Sequence, residues 1–368
     1  MMWRLYGEPM NKPDNKDNYR PFLTGASVWT GDQMASQPSW RFSFTGEILA
    51  DVDAALTEFM ANDGQWQDAT VEAFPLNSFT PLAQKMAHEL ENGSGLALLQ
   101  GFPVDKYSED QRRAIWFAIG QHMGTPVYQD FKGQMMRDIR DEQQDTDEIN
   151  GHHLATRDGS AFQSSKARTL ANGALRFHTD RTDVVALFCI GQAKKGGISK
   201  IAASPSLYNH ILERRPDLHA VLCEPYFRAR LGEEKGGEND YYALPVFGLK
   251  DGFFTSHYSR TYIEAADEMP QLPSITPVQW EALDYLNQVA EEICFEMTFA
   301  PGDMQFINNH IIYHARTAFE DEAAGTAKSR CLHRLWLSMA NSRPLPDDHK
   351  ILWQQIEAGA LRGGIMQP

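Results

Sequence analysis

The chain has 368 residues, 42% hydrophobic and 23% charged, an ordinary globular composition that excludes a disordered or fibrous protein. Lys and Arg number 34 against 49 Asp and Glu, a net charge of −15, which argues against nucleic acid or an anionic membrane as partner because both need a basic face. Four scattered cysteines without C-x-x-C spacing, and no apolar leader in Met1–Met10, predict a reduced, cytoplasmic protein.

Residues Met10–Tyr19 are polar and read as an arm. Phe42–Phe44 is a short strand candidate, and Val52, Leu56 and Met60 place a helix over Asp51–Met60. Pro81–Leu90 reads as a helix and Leu96–Leu99 as a strand closed by Gly101 and Pro103. Ser108-Glu109-Asp110-Gln111 is a capping box that opens a helix running to Met123. Asp141–Ala174 is polar and aperiodic, and its position suggests a lid. Val184–Ile190, the longest apolar run, suits a buried strand and is far short of a membrane span. Ser204-Pro205 opens a helix expected to stop at Pro216. Thr276-Pro277-Val278-Gln279 opens another, with Leu283, Leu286, Val289, Ala290 and Ile293 as its apolar stripe. Phe295–Phe299, Met304–Ile312 and Cys331–Met339 read as strands. No internal repeat, G-x-G-x-x-G, P-loop or G-x-S-x-G elbow is present, which disfavours dinucleotide, P-loop and α/β-hydrolase chemistry.

Phe177-His178-Thr179-Asp180 is the informative segment. On an extended chain His178 and Asp180 point the same way, because side chains alternate with period 2. They supply two members of a 2-His-1-carboxylate triad, which leaves coordination positions open and marks non-haem Fe(II) oxygenases. The third member would be a histidine elsewhere, and His310 and His314 both lie in Asn308–Arg316. If that segment is one strand, both face the same way. Arg330, Leu332 and Arg334 share a face of the following strand. Buried arginines there need anions, most naturally carboxylates held bidentately.

His-Thr-Asp, Gly196-Gly197-Ile198-Ser199, Asn308-Asn309…His314-Ala315-Arg316 and the Arg330/Arg334 pair occur in the order found in the taurine dioxygenase / clavaminate synthase-like family. The chain resembles that family of Fe(II)- and 2-oxoglutarate-dependent oxygenases over roughly Leu76–Asn341. The resemblance implies His178, Asp180 and His314 as catalytic metal ligands and favours His314 over His310. It implies Arg330 as the grip on the distal carboxylate of 2-oxoglutarate, helped by Ser199, where relatives usually carry Thr. Asn309 falls beside the ligands or the co-substrate. Arg334 matches a substrate-binding position that meets an anionic group in some relatives, or supports the co-substrate, and Arg316 is expected in an ion pair. The cofactor set is Fe(II), with 2-oxoglutarate and O2 as co-substrates. The expected reaction is oxidation, by default hydroxylation, of an unactivated C–H of a small molecule, with release of succinate and CO2.

The resemblance also implies a mainly β, α+β fold: a double-stranded β-helix, the cupin-like jelly roll, with flanking helices. Residues 1–75 form an N-terminal extension, 76–341 the oxygenase domain with an insertion around 225–275, and 342–368 a tail. Tyr241, Tyr242, His257, Tyr258 and Arg260 of the insertion are candidates for the pocket wall or for a supporting hairpin. The partner is a small molecule, anionic if Arg334 contacts it, and a homo-oligomer stays open. A cupin-like metal-binding or sensing protein and a zinc hydrolase are the alternatives, but neither accounts for Arg330.

Overall fold

The computed structural model describes residues 20–142, 169–234, 237–322 and 329–365. The polar arm before residue 20, most of the proposed lid and the adjacent pair His152-His153 lie outside them.

The strands, in chain order, are β1 (Arg41–Ser43), β2 (Leu96–Gln100), β3 (Thr125–Pro126), β4 (Met136–Ile139), β5 (Leu175–His178), β6 (Val184–Gly191), β7 (Lys195–Gly196) and β8 (Ser199–Ala203). They continue with β9 (Tyr226–Ala229), β10 (Tyr241–Leu244), β11 (Phe247–Lys250), β12 (Phe253–Ser256) and β13 (Phe295–Met297). The last are β14 (Met304–Asn308), β15 (Ile312–Arg316), β16 (Phe319–Glu320) and β17 (Cys331–Ser338). A seven-stranded sheet runs β1-β2-β14-β6-β17-β3, with β4 also on β17, and a four-stranded sheet runs β13-β8-β15-β5. Apart from β1 on β2, every pairing in these two sheets is antiparallel. This is the expected jelly-roll architecture.

Both faces of the large sheet are buried, which is why β6 reads as a continuous apolar run. Val185 and Cys189 of β6, with Leu332 and Trp336 of β17, join a core that includes Phe177, Ile201, Tyr313 and Ala315 of the small sheet. Val184, Ala186 and Phe188, with Leu335 and Leu337, face a second core formed with the helices Gly46–Ala61, Thr80–Asn92 and Glu109–Met123. Period-2 alternation therefore sends Leu332, Arg334 and Trp336 inward between the sheets.

Ser108 and Thr276 cap their helices as the sequence predicts, each accepting the N–H three residues on. The helix opened by Ser204-Pro205 runs to Arg214 and stops before Pro216 as expected, and Pro216 opens a second helix, Pro216–Leu222, because proline suits a first turn whose N–H groups lack partners. One expectation changes. Met304–Ile312 is not one strand. The chain turns at Asn309–Ile311 and passes from the large sheet to the small one, so His310 and His314 do not share a strand face.

The flanking segments pack onto the same body. Trp29, Met34 and Trp40 are buried in the inter-sheet core, and β1 extends the large sheet. From the C-terminal segment, Leu352 and Trp353 pack with Tyr242 and Leu244 of β10. The four cysteines carry no disulfide. Among the described residues no helix is long and apolar enough to cross a membrane.

Candidate metal and co-substrate site

His178 ends β5 and stands directly opposite His314 of β15, so the two rings are cross-strand neighbours with centroids 4.1 Å apart. Asp180 follows where the chain leaves the small sheet, and its Oδ1 lies 3.7 Å from His178 Nε2. One ligand atom from each of His178, Asp180 and His314 falls within 4.8 Å of the others, the one such group of three among the described residues.

Side-chain chemistry prepares each member. His178 Nδ1 lies 2.8 Å from the Arg176 carbonyl, which fixes the proton there and leaves Nε2 as the donor facing Asp180. Burial lowers the pKa of His178, and it lowers His314 to about 3, so both rings are neutral, as metal ligation requires. His314 Nδ1 is buried without a hydrogen-bond partner. Burial pushes the Asp180 carboxyl up, but the Arg334 guanidinium beside it outweighs this and the group lies at about 2. Arg334 Nη1 donates to Asp180 Oδ2 at 3.1 Å and Trp336 Nε1 to the same oxygen at 2.9 Å. One carboxylate oxygen is thereby committed and Oδ1 is left toward the histidines. Arg334 is itself held by Gln129, whose Oε1 accepts from Nε at 2.7 Å. These donors fit a divalent ion of the iron type, with two imidazoles and one carboxylate oxygen.

Asn309 serves this segment through the backbone. Its Oδ1 accepts the Asp180 N–H at 2.9 Å, and its Nδ2 donates to the carbonyls of Asp180 and Thr182. It thus fixes the loop that carries the carboxylate. His310 is engaged on both ring nitrogens, with Nε2 2.8 Å from Asp183 Oδ1 and Nδ1 3.2 Å from Thr255 Oγ1. Asp183 also accepts from Arg362 at 2.7 Å. His310 belongs to a buried ionic cluster, not to the triad.

Arg330 and Ser199 line one cavity of about 530 Å³ together with His178, His314, Gln305 and Arg334. Arg330 is buried, its Nη1 has no hydrogen-bond partner, and desolvation lowers its pKa to about 10. A cation left so poorly solvated fits a carboxylate ligand. The Gly-Gly step makes room for it: Gly197 has φ +68°, and a Cβ there would meet Arg330 Cδ at 3.1 Å.

The other residues singled out in the sequence divide. Arg334, expected to meet a substrate anion or to support the co-substrate, gives one guanidinium nitrogen to Asp180 and Nε to Gln129. Arg316 donates to the carbonyls of Ala171 and Gly173 and lies over Phe319, anchoring the chain that enters β5. Tyr242 and His257 line a second cavity of about 780 Å³ that His178, Asp180 and Arg334 also border. Tyr258 stacks on Tyr313, and Arg260 pairs with Glu264 and Asp284, so these two are engaged in packing and ion pairs of the fold. Gln129 and Arg181, Arg230 and Glu233 of the cavity wall carry no motif, and only the fold brings them together. Trp336 was legible, two residues beyond Arg334 on the same face.

A jelly roll with two histidines and a carboxylate converging between its sheets, and a buried arginine with an unpartnered guanidinium nitrogen among the described residues of the adjoining cavity, defines the class of 2-oxoglutarate-dependent non-haem iron oxygenases. The chain belongs to the taurine catabolism dioxygenase TauD, TfdA family, whose model matches residues 61–336. It is a dioxygenase that uses Fe(II), 2-oxoglutarate and O2. It is 28% identical to FR-33289 synthase of Streptomyces rubellomurinus over 333 residues, 88% of this chain and 92% of that protein. It is 26% identical to the taurine hydroxylase-like protein SAT17 of Stachybotrys chartarum over 317 residues, 84% and 78% of the two chains. The fold matches asparagine oxygenase in complex with Fe(II), 3-hydroxyasparagine and succinate at TM-score 0.58 and 16% identity, covering 87% of this chain and 99% of that one. It also matches the non-haem iron oxygenase OrfP with Fe and α-ketoglutaric acid, at TM-score 0.58 and 14% identity, over 81% and 93%.

Proposed function

We propose that this dioxygenase hydroxylates an unactivated C–H of a small anionic molecule, with His178, Asp180 and His314 holding the iron. The observation that carries this reading is the convergence of three prepared donors within 4.8 Å, one of them the Nε2 of an imidazole whose other nitrogen is already engaged. Bound Fe(II) and 2-oxoglutarate supply the oxidising chemistry, in which one oxygen atom of O2 goes to the substrate and one to succinate.

The protein's own residues supply position and charge. Arg330 receives the distal carboxylate of 2-oxoglutarate, and the Ser199 hydroxyl on the same cavity wall donates to it. Arg334 and Trp336 hold Asp180 Oδ2 and keep the carboxylate in one rotamer. Asn309 pins the backbone on either side of that carboxylate. The larger cavity receives the substrate, and its wall carries Arg137, Arg181, Arg230 and Arg334 against Asp180 and Glu233. That cationic excess in a chain of net charge −15 supports an anionic substrate. Tyr242 and His257 add a polar edge, with the Tyr242 hydroxyl hydrogen-bonded to His257 Nε2 at 3.2 Å.

Succinate formation from 2-oxoglutarate with Fe(II) in air tests the assignment. Asp180→Ala should abolish it and His310→Ala should largely preserve it. A dead His310→Ala with a live His314→Ala would overturn the ligand set.

A further inference from the structure

Resting on the proposed oxygenase reading, we infer that Arg181 and Arg230 form the anion grip for the substrate. It would hold a carboxylate, sulfonate or phosphonate headgroup at the wall of the larger cavity.

Four arginines border that cavity, and two are already committed. Arg334 is paired with Asp180 at 3.1 Å, and Arg137 with Asp130 at 3.2 Å. The other two are fixed by backbone carbonyls. Arg181 Nη2 donates to the Leu352 carbonyl at 2.5 Å, and Arg230 Nη2 donates to the Ile351 carbonyl at 2.9 Å. Adjacent peptide carbonyls of the C-terminal segment thus orient both guanidinium groups while leaving several of their N–H donors without an acceptor. Arg181 Nε, Arg230 Nε and Arg230 Nη1 are buried without hydrogen-bond partners. Arg230 Nη1 keeps one loose ion pair, to Glu238 at 3.6 Å, too long for a hydrogen bond. Arg230 also lies over the Tyr242 ring at 5.1 Å, which restricts it further.

Buried guanidinium donors without acceptors are costly, and oriented ones are pre-organised for a group with several acceptor oxygens. An oxyanion satisfies both planes at once, whereas a neutral amide has one acceptor and no charge. Arg181 directly follows the ligand Asp180, so an anion held there keeps the rest of a small molecule in the cavity that His178 and Asp180 border. Glu233 on the same wall is the internal acid nearest in effect. Burial raises it to about 7, against the pull of Arg181 and Arg137.

The test titrates the anaerobic Fe(II)- and 2-oxoglutarate-loaded protein with propionate, 1-propanesulfonate and propylphosphonate, and with propionamide as the neutral control. Binding is read by calorimetry and by perturbation of the visible Fe(II)/2-oxoglutarate band. At least one anion should bind saturably and propionamide should not. Arg181→Gln and Arg230→Gln should each weaken that anion at least tenfold, with Arg230→Lys intermediate, and the three anions rank the headgroups. If Arg230→Gln does not fold, Arg181→Gln decides. Failure of every anion to bind, equal binding of propionamide, or binding that survives both substitutions overturns the grip. Absence of the visible band in wild type counts instead against the oxygenase reading, and calorimetry with the anions still decides the arginine pair.

Discussion

Replacing Arg330 by methionine should move stability and co-substrate affinity in opposite directions. The side chain is 6% exposed, and burial lowers its pKa from 12.5 to about 10. A shift of that size corresponds to roughly 3 kcal/mol spent keeping the cation in the folded protein. Methionine keeps most of the buried aliphatic volume beside Phe319 and removes the charge, so the ligand-free variant should melt at a higher temperature than wild type. The distal carboxylate of 2-oxoglutarate would then enter a cavity without its cation. Removing one partner of a buried ion pair costs about 3–5 kcal/mol, so the dissociation constant should rise by roughly a hundredfold to several thousandfold. Arg330→Lys keeps the charge but loses the planar fork and should fall between the two. Differential scanning calorimetry without ligand and an anaerobic 2-oxoglutarate titration of the Fe(II) protein measure both quantities. A variant that binds 2-oxoglutarate within a few-fold of wild type would refute the role of Arg330. A variant destabilised without ligand would refute the claim that this cation is held at a cost.

Three further outcomes follow from the same geometry. Ser199→Ala removes one hydrogen bond to a charged oxygen and should weaken 2-oxoglutarate about tenfold with little change in melting temperature, by the same titration. Asn309→Ala leaves the Asp180 N–H and two carbonyls without their partner, so it should lower stability by roughly 2–3 kcal/mol and weaken Fe(II) binding more than tenfold, read by denaturation and metal competition. Burial, reinforced by Arg20, lowers His219 to about 4 from 6.5, so between those values the unfolded chain binds a proton that the folded one refuses. Stability should therefore fall as pH drops through that window, by roughly 2 kcal/mol at pH 5 from this group alone. His219→Phe, packed between Tyr208 and Phe247, should flatten part of the slope in melting curves from pH 7 to 5.

Much of the site was legible because it obeys local rules. His178 and Asp180 are two apart, a spacing that marks them even though Asp180 stands just past the end of β5 and is fixed by Asn309, and Leu332, Arg334 and Trp336 alternate inward on β17 by period 2. The Gly196-Gly197 step reads as a backbone demand, and both glycines have positive φ. The capping boxes at Ser108 and Thr276 locate two helices within a residue. What sequence could not give is the contact between distant segments. Arg181, Arg230 and the carbonyls of Ile351 and Leu352 meet only when the C-terminal segment folds back on the insertion. Arg334 faces inward as the strand pattern predicts, yet its pairing with Asp180 depends on the approach of the two sheets. His310 misleads a local reading because a turn at Asn309–Ile311 breaks the strand that would have aligned it with His314. At Pro216 the stop of the helix Ser204–Arg214 was legible and the start of the next helix, Pro216–Leu222, was not, since proline serves both boundaries.

The iron site is tested most directly by the visible charge-transfer band of the anaerobic protein with Fe(II) and 2-oxoglutarate. Wild type and His310→Ala should both develop the band with one iron per chain, and His314→Ala should not. A band retained by His314→Ala and lost from His310→Ala would contradict the placement of iron on His178, Asp180 and His314.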